Sequence, residues 1–131
     1  MKKLFYSIVT CAVILSLTAC SSMSVSTKMY NEIYDHVTQN IDTLSPTKET
    51  EFYDYEATGI SVGGVYYGYY YSENNEFIIP DFYKGNDFDT IKNDTHEAED
   101  GIYFGKPNNG TDWCYIKKIT NHWYYYELHW A

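Results

Sequence analysis

Four histidines (His36, His96, His122 and His129), the cysteine Cys114 and 18 aspartates and glutamates are the groups with which this 131-residue chain could do hydrolytic, metal or redox chemistry. Their spacing argues against each. The histidines show no tight ligand spacing, and His122 and His129 would point to opposite faces of one regular strand. Asp87-Phe88-Asp89 opens like a calcium loop, but Ile91 stands where Asp or Asn is wanted and Lys92 where Gly belongs. There is no Gly-x-Ser-x-Gly elbow, no His-Glu-x-x-His and no Gly-rich phosphate loop. Cys114 and His122 can be written as nucleophile and base, as can any such pair in any chain. Choosing two acids for glycoside hydrolysis would be arbitrary. The residues point to a protein that is not an enzyme, with no metal and no cofactor.

The tyrosines, sixteen of them in a chain without arginine, make a more specific pattern. On an extended strand Val65, Tyr67, Tyr69 and Tyr71 share one face, and Tyr66, Gly68, Tyr70 and Ser72 share the other. Near the C-terminus Trp123 and Tyr125 oppose Tyr124, Tyr126 and Trp130 in the same way. Aromatics on both faces exceed what a single helix can cover. Tyr66, Tyr67, Tyr69, Tyr70, Trp123 and Tyr125 are therefore candidates for a binding surface, because such rings give contact area at low entropic cost and stack on sugars. The other reading is structural: tyrosine favours strands, and cross-strand ring ladders stabilise sheets without binding anything.

These residues need a scaffold. From Thr27 to Leu44 the residues Met29, Tyr30, Ile33, Tyr34, Val37, Ile41 and Leu44 recur at helical spacing over roughly 140° of the circumference, and Ser45-Pro46 is a natural stop. Lys48 to Glu56 reads as an acidic connection. Ile60 and Val62, then Gly63-Gly64, then Val65 to Tyr71 read as a hairpin. Glu73-Asn74-Asn75-Glu76 reads as a turn, and Phe77-Ile78-Ile79 as a short or edge strand ended by Pro80. Lys84 to Gly101 reads as an acidic loop with at most one helical turn. Ile102 to Phe104, Thr111 to Ile119 and Trp123 to Trp130, with turns at 107–110 and 120–122, read as a meander. The expected fold is α+β: one N-terminal amphipathic helix packed on an antiparallel β-meander of five or six strands.

The N-terminus carries its own chemistry. Lys2 and Lys3 precede an apolar run from Leu4 to Leu17, the layout of a secretory signal peptide and shorter than the roughly 20 residues of a membrane span. The run ends Leu17-Thr18-Ala19-Cys20, which resembles the lipobox of bacterial lipoproteins in all four positions. That resemblance covers the first 20 residues. It implies cleavage between Ala19 and Cys20, a thioether-linked diacylglycerol on the Cys20 thiol and, usually, acylation of its amino group. Several acyl chains suffice as an anchor, each buried methylene contributing about 0.8 kcal/mol. Ser21 after the cysteine implies outer-membrane sorting, or the outer leaflet of the plasma membrane in a host with one membrane. The expected organisation is a signal peptide over 1–19, a lipidated cysteine and flexible tether over 20–27, and one small α+β domain over 28–131.

Removing residues 1–19 takes Lys2 and Lys3 from the 9 basic residues and none of the 18 acidic ones, which leaves 7 against 18 and a net charge of −11. Such a balance repels phosphate backbones and disfavours nucleic acid as a partner. It attracts a basic protein. With Cys11 in the signal peptide and Cys20 acylated, Cys114 has no disulfide partner and reads as a small buried hydrophobe. The sequence points to a membrane-anchored envelope lipoprotein that acts as a non-catalytic binding module, held through the lipid on Cys20, with a basic envelope protein or a glycan such as peptidoglycan as partner. The alternative is an inhibitor or immunity-type lipoprotein that blocks a basic toxin or cell-wall hydrolase.

Overall fold

A computed structural model describes residues 25–58, 64–80, 91–107 and 112–130. Cys20 and the signal peptide, Ile60 and Val62, Asp87 and Asp89, and Asn108 to Thr111 lie outside these residues.

Helix α1 spans Thr27–Asn40. Ser26 caps it in extended conformation, its hydroxyl accepting from the Met29 amide at 3.1 Å, which satisfies a donor the helix cannot satisfy itself. The chain leaves the helix at Asn40, whose carbonyl accepts from the amides of both Thr43 and Leu44. The expected helix to Leu44 thus ends in a turn, and Leu44 still packs on the core. Met29, Ile33 and Val37 are buried, each contributing roughly 1.5–3 kcal/mol relative to exposure. Tyr34 and Ile41, at the margin of the apolar stripe, remain exposed. Among the described residues no helix is long and apolar enough to cross a membrane.

Six strands follow: β1 (Thr50–Thr58), β2 (Gly64–Ser72), β3 (Thr95–Glu97), β4 (Ile102–Phe104), β5 (Trp113–Thr120) and β6 (Trp123–Trp130). They form one antiparallel sheet in the order β1-β2-β6-β5-β4-β3. The expected helix and antiparallel sheet are present, but the sheet is not a single meander. A β1–β2 hairpin is joined to a β3–β6 meander by the pairing of β2 with β6, so the last strand lies in the middle.

Three elements differ from the sequence reading. Thr95–Glu97, inside the supposed acidic loop, is β3, an edge strand paired with β4. The supposed acidic connection is β1, whose Phe52 and Tyr53 face opposite sides and pack on Tyr70 and Tyr69. Its acids suit it to a sheet edge, where charge discourages pairing with another chain. Between Asp54 and Glu56 the register shifts, leaving Tyr55 outside the pairing. Phe77 to Pro80 is not a strand. The Tyr70 hydroxyl donates to the Glu76 carbonyl at 2.8 Å and accepts from the Ile78 amide at 3.0 Å, so the segment is tied to the face of the sheet, where Ile78 and Ile79 pack on the core.

The sheet therefore has a core on each side. The helix side gathers Met29, Ile33 and Val37 with Tyr69, Trp113, Tyr115, Trp123 and Tyr125. The opposite side gathers Tyr70, Ile91, Phe104, Cys114, Ile116, Tyr124, Tyr126 and Leu128. Gly68 makes one crossing possible: a Cβ there would collide with the Tyr126 ring and the Tyr53 carbonyl. The bare strand lets the Tyr126 hydroxyl pass over β2 and reach Asp54 at 3.1 Å.

Candidate functional site

Strand alternation puts Tyr125, Glu127 and His129 on the helix side of β6. Glu127 is 0% exposed there. Its Oε2 accepts from the Ser26 amide at 2.7 Å and from the Tyr125 hydroxyl at 2.5 Å, and its Oε1 lies 2.7 Å from His129 Nε2. The His129 ring stacks on Trp113 with centroids 3.6 Å apart and planes 8° from parallel. The buried Trp113 indole nitrogen has no hydrogen-bond partner among the described residues. A buried acid is costly unless its oxygens are satisfied, and here they are, beside the start of a helix whose dipole favours negative charge. Fully enclosed, the Glu127 carboxyl meets protein groups and fastens α1 to the sheet.

A cleft of about 250 Å³ opens next to this contact, lined by Val25, Thr27 and Tyr30 from the start of α1, Ala98, Glu99 and Asp100 from the loop after β3, and Tyr103, Tyr115 and Lys117 from β4 and β5. Tyr103 and Tyr115 are direct cross-strand partners with ring centroids 5.0 Å apart. The Lys117 ammonium sits 4.0 Å from the centroid of the Tyr30 ring and 3.8 Å from an Asp100 carboxylate oxygen. Glu99 and Asp100 are exposed at the mouth.

The wall tyrosines register the negative field around the cleft. Burial, then Tyr34, then Asp100 push the Tyr30 phenol above its ordinary value. Burial and Glu127 push Tyr103 up, and burial, Tyr103, Asp100, Glu127 and Tyr30 together raise Tyr115. Asp100 thus acts on Tyr30, Glu127 on Tyr103, and both on Tyr115. Such a cleft favours cations on electrostatic grounds and apolar or aromatic matter on packing grounds.

The six aromatics expected to form one surface divide between the two sides. Tyr67, Tyr69, Trp123 and Tyr125 face the helix side, and Tyr66 and Tyr70 face the other. Tyr69, Tyr70, Trp123 and Tyr125 are 6%, 0%, 4% and 0% exposed. Tyr70 stacks on Tyr124 at 5.1 Å and Tyr69 on Tyr53 at 5.1 Å, as cross-strand ladders. Tyr66 and Tyr67 are half-buried, Tyr66 lying against Trp130. Cys114 is free and buried, its thiol pushed well up by burial and by Glu127. His122, in the β5–β6 turn, bonds the Ser72 carbonyl and Asn75, whereas Cys114 pairs with Leu128 far along β6. The two do not meet. His36 contacts the Tyr69 hydroxyl and His96 contacts Asp94. Among the described residues no three of His, Cys, Asp and Glu converge as metal ligands.

Sequence reasoning passed over Glu127 and the cleft. The signal for Glu127 is present: a single acid, flanked at two-residue spacing by Tyr125 and His129, inside a strand of otherwise aromatic and apolar residues. The cleft draws on four separated segments and has no local signature. No family model matches the chain, and neither a curated protein nor a solved structure matches it.

Proposed function

We propose that this chain is an envelope lipoprotein, anchored through lipid on Cys20, whose domain is a non-catalytic binding module presented close to the membrane. One observation carries the reading. Leu17-Thr18-Ala19-Cys20 follows a signal-peptide layout, and Cys20 stands six residues ahead of Ser26, the cap of α1. Six residues span roughly 22 Å at full extension. Val25 and Thr27 line the cleft, so on this reading the cleft lies within that reach of the anchor. Outer-membrane sorting follows from Ser21, and the partner is an envelope protein or a glycan.

The net charge of −11 that residues 20–131 carry and the carboxylates at the cleft mouth favour a second, narrower reading, an inhibitor or immunity-type lipoprotein that captures a basic protein. Fractionation of cells carrying the full chain tests the anchor. The protein is expected in the membrane fraction, resistant to a high-salt wash and processed to the form that begins at Cys20, and Cys20→Ala is expected to accumulate with residues 1–19 still attached. Release of the natural protein by the wash, or a variant processed like the natural chain, contradicts the proposal.

A further inference from the structure

The cleft has a volume of about 250 Å³, below the roughly 300–1,000 Å³ that encloses a drug-sized ligand. It suits a single inserted side chain. Tyr30 and Tyr103 supply aromatic surface over the buried Tyr115, and Glu99 and Asp100 supply negative charge at the entrance. The protein's own Lys117 marks where a cation rests, over the Tyr30 ring and beside Asp100. An ammonium over a tyrosine face is attracted by the ring quadrupole. That pair is weakly held, because the Lys117 and Asp100 side chains are 27% and 64% exposed and such ion pairs contribute little.

We propose that the cleft receives an arginine or lysine side chain from a basic protein partner, which displaces Lys117 from Tyr30 and Asp100 and lies against Tyr30 and Tyr103. The proposal rests on the binding-module reading. Arginine fits best, since its planar fork can pair with a carboxylate in bidentate fashion while its face lies on an aromatic ring. Lys117 is then a competitor for the site, and its weak hold on Asp100 lowers the affinity for an incoming side chain without closing the cleft.

The test is a titration of the full chain in detergent micelles with a short Arg-Gly-Arg peptide and, separately, with its Glu-Gly-Glu counterpart, read by calorimetry at low and physiological salt. The arginine peptide is expected to bind and the glutamate peptide not to. Asp100→Asn and Tyr103→Leu are each expected to weaken binding at least fivefold. Lys117→Met, which vacates the cation position, is expected to strengthen it several-fold. Glu73→Gln with Glu76→Gln, at the other end of β6, removes more charge than Asp100→Asn and is expected to matter less. Binding that follows total charge alone, or that Lys117→Met weakens, overturns the proposal. So does capture of an envelope protein or of peptidoglycan by the full chain that Asp100→Asn leaves unchanged, although that result keeps the binding module. Failure of the full chain to capture any envelope component overturns both.

Discussion

The amide of Ser26 donates to the carboxyl group of Glu127, 101 residues further along the chain, at 2.7 Å. This contact joins the first described turn of the protein to its last strand. Ser26 serves twice there, its amide held by Glu127 and its hydroxyl capping α1. The chain that leads back to Cys20 therefore leaves the domain at a fixed point.

Glu127→Ala strips an acceptor from the Ser26 amide, the Tyr125 hydroxyl and His129 at once, and is expected to cost about 3 kcal/mol in urea unfolding. Glu127→Gln keeps an acceptor oxygen and is expected to cost less. Equal stability of the Ala variant and the natural protein would remove Glu127 from its role as the fastening.

Ser26→Ala deletes the helix cap and leaves the Ser26 amide in place, for an expected loss of about 1 kcal/mol. Combined with Glu127→Ala, the loss is expected to fall short of the sum, because both changes free the same end of α1. Strict additivity would show that cap and fastening act independently.

Gly68→Ala places a methyl group against the Tyr126 ring and the Tyr53 carbonyl, and overpacking of this kind costs about 3 kcal/mol. Truncating Tyr126 removes one of the two collisions. Tyr126→Ala is thus expected to cost less in the Gly68→Ala background than alone, a coupling that a double-mutant cycle of unfolding free energies measures.

Alkaline pH tests the buried rings together. Burial, then Glu51, then Tyr69 push the Tyr53 phenol up to about 12, and burial raises Tyr70, Tyr115 and Tyr125 as well. Each neutral phenol is favoured by the fold, so its contribution is complete below the unfolded value of about 10 and is lost as pH rises through the folded one. The stability these phenols contribute is expected to be constant below about pH 10 and to fall through pH 12 and beyond. Phenolate absorbance should then rise with loss of the native circular dichroism. Ionisation of all sixteen tyrosines near pH 10 in a folded protein would contradict the burial described above.

How far the sequence carries is clearest from particular residues. The Met29, Ile33 and Val37 stripe and the aromatic runs of β2 and β6 repeat with the period of their elements, and those elements are where their pattern puts them. β1 is illegible because Glu51, Asp54 and Glu56 interrupt its aromatics, and edge strands accept charge that central strands do not. Phe77 to Ile79 has the composition of a strand, but the Tyr70 hydroxyl takes the Ile78 amide and the Glu76 carbonyl just ahead of it. The pairing of β2 with β6 joins segments more than fifty residues apart, which no local pattern encodes. The cleft is hidden for the same reason. Position divides the aromatic rings: Tyr70, Tyr125 and Trp123 are enclosed, Tyr34 and Tyr55 are exposed, and Tyr30 and Tyr103 line the cleft.

Metabolic labelling with palmitate tests the anchor most directly, because everything said about presentation at the membrane depends on Cys20. The account predicts that the full chain expressed in a bacterium incorporates the label and migrates as a form cleaved before Cys20, and that Cys20→Ala neither labels nor matures in that way. Labelling that survives the substitution, or a natural chain that takes up no palmitate, would contradict it.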